Sequence, residues 1–483
     1  MAQYGMPTLS PLAHRAAGRT APAPAKAKKP APLPASTGKQ EARSSTGRAD
    51  TTDTVDTSVV STSIQRLPLG ENTLDQMDPS PSRPLSHDAD GIIAIDAQGD
   101  LVLHVEHQTA LAKLAQKYRV HSATLKSHSR YFASLLDGRF GESAKIEAQH
   151  TVLRQRYGSL SQTPSSELPL IRIEDIGRTS TIKSIEALCT DFFMILHGKD
   201  TIASPPVVNL ANIAIVADRF DALEALRSYV ARKRLIRAID GKTSQKAEMG
   251  LTEERVRMRL LVAVLLDIAP WLDRYSARLI TKGWVGREAD EADAMWWTLP
   301  RNLEEELMSR REYILDMLQA STGQIVALYN SRERQCRLGY DSSAACDSFQ
   351  LGEAIKFLSR SGILQVKGML FDAGAAAGAY EGDIFTLIDS LRQAPEYQID
   401  RNHTHCGIRG RLISMLDMVL DALHHIGICA ECWITSRQDH AWADSKPALH
   451  WQSQSYRSRG LAHKDLHAQV KAMFTATNRD WSR

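Results

Sequence analysis

Acidic residues are missing from the first 40 positions of this sequence, which carry Pro, Ala, Lys and Arg in their place. Large apolar residues are nearly missing over the whole of residues 1–88. Such a segment cannot bury enough surface to offset the entropy of ordering, so it is expected to be a disordered basic arm with a polyproline-like stretch, APAPAKAKKPAPLPA. Cysteine is scarce: six in 483 residues is no disulfide framework, and a reducing intracellular compartment, cytoplasmic or nuclear, is expected. No apolar run reaches the roughly 18–20 residues of a membrane helix. The nearest, Leu260 to Leu272, is broken by Asp267 and Pro270. No apolar h-region opens the chain, so no secretory signal is expected. The formal charge of +3 is too small to argue for nucleic acid or membrane. Enzyme signatures are missing as well. There is no G-x-S-x-G and no H-E-x-x-H, and the Gly241-Lys242-Thr243 triplet has Ile236 where a P-loop needs its first glycine. No repeat of fixed period appears, and no standard C2H2 spacing.

What is present is a change of rhythm along the chain. Leu101, Leu103 and Val105 alternate with Val102 and His104, the period of a strand. Ile213, Val216, Phe220, Leu223, Leu226 and Val230 recur at three and four, the stripe of amphipathic helix. From Val256 to Leu266 apolar residues occupy nearly every helical face, which predicts a central, buried helix. Asn302 with Glu305 three residues on reads as a capping box at the start of a helix. Leu412, Leu416, Val419, Leu420, Leu423 and Ile426 form a further stripe. These patterns divide the chain into residues 1–88, an α/β segment 92–236 and a mainly helical segment 251–483. Residues 144–167 are polar and read as a surface insertion. The basic cluster Arg232-Lys233-Arg234 lacks interleaved aromatics and reads as a solvated helix end.

The run YRVHSATLKSHSRYFASLLDGRFGES, Tyr118 to Ser143, resembles the central motif of BTB/POZ domains. Four further stretches resemble other parts of that family in the same order: GDLVLHV (99–105), LPLIRIEDI (168–176), FFMILHGKD (192–200) and LANIAIVADRFDALEALRSYV (210–230). Their wording is similar to fungal members. The resemblance covers about a third of the chain. It implies an α+β fold, a small sheet flanked by helical hairpins, followed here by a mainly helical C-terminal domain. It implies a non-enzymatic adaptor or scaffold acting through protein partners. Two alternatives stand beside it: a substrate receptor of a cullin-3 ubiquitin ligase, and a transcriptional cofactor. Phe140 and Glu142 occupy the family's cullin-contact turn. Asp100 occupies a position used at the homodimer interface of animal members, but Ser122 stands where those members place its basic partner, so Asp100 is expected either to meet a second copy or to cap amides locally.

One set of side chains points to metal. Cys336 and Cys346 bracket a short loop, and NHTHCGIR supplies His403, His405 and Cys406. Zinc takes tetrahedral shells of thiolate and imidazole, often with one close pair of donors, and Cys336, Cys346, His405 and Cys406 are the expected structural-zinc ligands. Cys429 and Cys432 form a C-x-x-C, but at the end of an apolar stripe and outside any thioredoxin-like context they read as small buried hydrophobes.

Overall fold

The computed structural model describes residues 91–483, except 109–112, 138–140, 181, 183, 202, 291–292, 337–342, 363–365, 368–369, 372–379, 444–445 and 482–483. The expected N-terminal arm and Phe140 therefore lie outside the described residues. The fold is α+β and mostly helical.

A four-stranded sheet opens the fold. Its strands are β1 (Ile93–Ala94), β2 (Leu101–Gln108), β3 (Lys113–Val120) and β4 (Leu170–Ile173), in the spatial order β1-β3-β2-β4. β2 and β3 pair antiparallel, with Leu101 opposite Val120, and β4 runs parallel to β2, with Val102 beside Leu170. Between β3 and β4 lie α1 (Ser122–His128), α2 (Arg130–Leu135) and α3 (Gly141–Tyr157). After β4 come α4 (Ile185–Leu196), α5 (Val207–Arg219) and α6 (Leu223–Lys233). The period-2 pattern of β2 decides which side chains go where. Leu101, Leu103 and Val105 enter the main core with Tyr118 and Val120, while Val102 faces the opposite side. Gly99 is required at the entry to β2, because a Cβ there would stand 2.6 Å from the Val120 carbonyl oxygen.

On that opposite side lies the polar segment 144–167. It is mostly exposed, and it is ordered as most of α3 and two 3-10 turns that cover the sheet. Leu153 of α3 packs on Val102 and Leu168, and buried His150 bonds the Asp100 carbonyl through Nε2 at 2.8 Å. The turns also enclose Arg119, whose guanidinium donates to the carbonyls of Gly99, Leu160 and Ser161 and to Ser165 Oγ. The segment is polar because most of its side chains face solvent, while two of its backbone carbonyls and the Ser165 hydroxyl satisfy the buried cation.

The motif residues of the α/β segment meet inside it. Ser129 Oγ accepts from Phe132 N at the start of α2 and donates to the Phe220 carbonyl at the end of α5. Phe220 stacks on Phe132 and Phe192, with ring centroids 5.3 and 5.6 Å apart. His121 N donates to His197 Nε2 at 3.0 Å, and His197 Nδ1 bonds the Phe193 carbonyl. Burial holds the His197 imidazole below its ordinary pKa, so it stays neutral and Nε2 remains an acceptor.

The helical remainder continues the same core. α7 (Leu235–Lys242) and α8 (Gln245–Met249) lead to α9 (Glu253–Leu266), every residue of which from Val256 onward is buried. α9 lies against both α5 and α10 (Ala269–Lys282), so one continuous apolar cluster runs from Ile93 to Ala476. There follow α11 (Leu303–Asn330), α12 (Ala344–Arg360), the short strands β5 (Val366–Lys367) and β6 (Leu370–Phe371), α13 (Ile384–Arg392), α14 (Ile408–Leu423), α15 (Ala430–Thr435) and α16 (Arg437–His440). The last elements are β7 (His450–Gln452), α17 (His463–Thr475) and β8 (Asn478–Asp480), with β7 and β8 paired in parallel.

Asn302 does precede α11, but it sits at φ 57° in the left-handed region and its side chain makes no cap. Glu305 is exposed, and its neighbours Glu304 and Glu306 turn inward instead. Glu304 takes a bidentate bond from fully buried Arg257, which also donates to Glu253. Glu306 is 1% exposed and receives Arg310 Nε together with the amides of Trp442 and Ala443. Arg310, equally buried, donates onward to the carbonyls of Ile426, Gly427 and His440. Breaking a buried pair by removing one partner costs about 3–5 kcal/mol, because an uncompensated charge is left behind. Arg310→Ala is therefore expected to lower unfolding stability by about that amount in urea titration, and the double change Glu306→Gln/Arg310→Met by less than the single one.

Candidate metal centre

Cys336, Cys346, His403 and Cys406 come together, with one donor atom from each inside a shell where no two lie more than 4.8 Å apart. All four residues are buried. Each arrives on a different piece of local structure. Cys336 ends the loop after α11, held by Gln335 N donating to Asp347 Oδ2 and by Arg411 reaching Gln335 Oε1. Cys346 lies in the first turn of α12, where Ser343 Oγ caps the amides of Ala345 and Cys346. His403 closes a 3-10 turn begun by Asp400, whose carboxylate accepts from Asn402 N. Cys406 follows, with its amide on the His403 carbonyl and its own carbonyl accepting from the buried Tyr329 hydroxyl, just before α14 begins.

The distances suit a tetrahedral ion. Zinc bonded to sulfur at about 2.3 Å and to nitrogen at about 2.0 Å sets sulfurs about 3.8 Å apart and sulfur about 3.6 Å from nitrogen. Here Cys336 Sγ and Cys406 Sγ are 3.8 Å apart, and His403 Nδ1 lies 3.4 and 3.7 Å from them. The other ring nitrogen, Nε2, faces Asp400 Oδ2 at 3.7 Å, the carboxylate behind an imidazole that orients metal-bound histidines.

The histidine differs from the one expected. His405 is exposed, and His403 takes its place in the cluster. Residues adjacent in sequence, such as His405 and Cys406, project in different directions. A spacing of three, His403-x-x-Cys406, returns the second donor to the same side of a tight turn. The apolar packing at this junction is thin: Tyr329, Ala354 and Ile408 form a small cluster apart from the main core, and the three cysteines form another.

A second group was missed altogether. Cys429, Cys432, His463 and His467 also bring their donors within 4.8 Å of one another. The signal was present in the sequence as C-x-x-C and H-x-x-x-H, the two ends of a zinc finger. Thirty residues, Trp433 to Ala462, separate them, about twice the usual connection.

The remaining site residues are placed as follows. Asp100 engages its own chain: its two carboxylate oxygens accept from Ser122 N at 2.7 Å and Ser122 Oγ at 2.6 Å, pinning the start of α1 to β2. Glu142 is exposed in the first turn of α3. Arg232 and Lys233 pair with Asp200. No protein-family model, curated protein or solved structure matches the chain.

His403→Ala is expected to release metal from this centre and lower the thermal midpoint, while His405→Ala leaves both unchanged. Elemental analysis and thermal unfolding of the two purified variants check this, and equal metal loss in both would contradict the assignment.

Proposed function

We propose that this chain is a non-enzymatic protein-interaction adaptor or scaffold. In this reading residues 92–236 are its BTB/POZ-type binding module, and the helical remainder continues the same core and is braced internally by structural zinc. The observation that carries the reading is the convergence of the family-like motifs on one another. The Ser129 hydroxyl ties the α2 motif to Phe220 of the α5 motif, and the His121 amide ties the β3 motif to His197 of the α4 motif. These bonds join three of the five motif stretches, and the bonds from Ser122 to Asp100 with the pairing of β2 and β4 bring in the other two. The hairpin β2–β3 with β4 parallel to β2, followed by paired helices, also agrees with the architecture the resemblance implies.

A second reading, as a cullin-3 adaptor, is favoured by the exposure of Glu142 in the first turn of α3, two positions after Phe140 in the sequence. A charged residue on the rim of an apolar anchor is a common composition for a binding hot spot. Dimerisation through Asp100 is not part of the proposal, since its carboxylate already serves Ser122. Zinc is proposed as the ion because three thiolates and one imidazole at tetrahedral distances suit it.

Cross-linking of the full chain in its own cells, read by mass spectrometry, tests the function. Exposed Lys126 and Lys145 are expected to link to other proteins. Links to cullin-3 that vanish in Phe140→Ala/Glu142→Ala would select the second reading. Links to other proteins alone would leave the scaffold, and links confined to residues 251–483 would overturn both.

A further inference from the structure

The second Cys/His group differs from the first in access. Cys432 is buried and Cys429 and His467 are half-buried, but His463 is exposed. Cys429 precedes α15 and Cys432 lies inside it, one turn along, with Trp433 N bonded to the Cys429 carbonyl. His463 and His467 sit four residues apart on one face of α17. His463 Nε2 lies 3.1 Å from Cys429 Sγ and 3.3 Å from Cys432 Sγ, and the two histidine rings stand 5.0 Å apart at 80°. His463 Nδ1 faces Glu431 Oε2 at 3.9 Å. The arrangement repeats that of His403 with Asp400: one ring nitrogen toward the sulfurs, the other toward a carboxylate.

The position of the group gives it a task. The second half of α17 is fixed by Val470, Met473 and Phe474 in the main core. Its first turn, His463 to Asp465, buries nothing, and the residues just after it contribute only half-buried Leu466. His463 Nε2 reaches from that half to Cys429 and Cys432 at the start of α15. Lys471 Nζ, further along α17, donates to the Asp439 carbonyl of α16. The Arg310 guanidinium holds the His440 carbonyl from the other side.

We propose that Cys429, Cys432, His463 and His467 form a second zinc site, open to solvent and exchangeable, that clamps the start of α17 onto α15. The proposal rests on the same zinc chemistry as the buried centre but uses none of its residues. Two thiolates neutralise the dication, and the histidines complete a tetrahedral shell. Unlike the buried centre, this one offers a chelator a direct route to the ion along the exposed His463 edge.

The test is zinc stoichiometry and release on the purified full chain, with EDTA as the chelator. About two zinc ions per chain are expected, one leaving early and one late. Cys429→Ser/His463→Ala should hold one, with the early phase gone and amide exchange raised over residues 463–468. Cys336→Ser/Cys406→Ser should lose the late phase only. One zinc in the wild type that the second variant loses would overturn this site and leave the buried centre standing. No zinc at all would overturn both. If the first variant fails to fold, the cobalt-substituted wild type decides: release of one ion from a two-thiolate spectrum supports the site, and a single three-thiolate spectrum refutes it.

Discussion

Every helix ends in carbonyl groups without intrahelical partners, and in this chain several of those ends are met by arginine side chains. Most of the helical half depends on how they are satisfied. Arginine does it repeatedly. Arg278 donates to the carbonyls of Met249 and Leu251 at the end of α8, and Arg227 to Leu265 at the end of α9. Arg311 takes Ile280 and Thr281 at the end of α10, Arg409 takes Arg392 and Ala394 after α13, and Arg479 takes Met473 and Phe474 of α17. Arg310 joins three segments through Ile426, Gly427 and His440. A guanidinium suits this work because its fork of donors reaches several carbonyls at once and its charge favours a helix C-terminus. The modest net charge of the chain is thus partly an internal fastening and not a surface signal.

Two sets of cysteine and histidine donors that could hold a metal gather where the apolar core is thin. The junction of α11, α12 and α14 lies beside small satellite clusters rather than the main core, and there three cysteines and a histidine converge. The start of α17 rests on the main core only through half-buried Leu466, and there the second set converges. In both places one histidine is backed by a carboxylate three residues or one chain segment away, Asp400 or Glu431. Zinc ligation can hold such regions because the coordination energy is folding energy when the site forms only in the folded chain.

Much of the α/β segment was legible because its rules are local. The alternation from Leu101 to Val105 placed a strand and the all-round apolar run from Val256 to Leu266 placed the central helix, while the α+β class came from the motif resemblance. The role of residues 144–167 was not legible, because a polar sequence gives no sign that a distant Arg119 needs its carbonyls. Asn302 misled for a related reason: Glu304 and Glu306 answer to Arg257 and Arg310, contacts set by tertiary packing and not by a local cap. The run NHTHCGIR offers His403 and His405 alike, and it is the 3-10 turn, not the sequence, that brings the residue three positions before Cys406 into the cluster. The second set stayed hidden because its two halves are separated by a connection that no short motif spans.

The central claim is that thiolates and imidazoles hold metal where the apolar core does not reach. X-ray absorption at the zinc edge of the purified full chain tests it most directly. The account predicts a shell dominated by sulfur at about 2.3 Å, averaging about two and a half sulfurs and one and a half nitrogens per ion. A shell of oxygen and nitrogen alone, or a protein that carries no zinc, would contradict it.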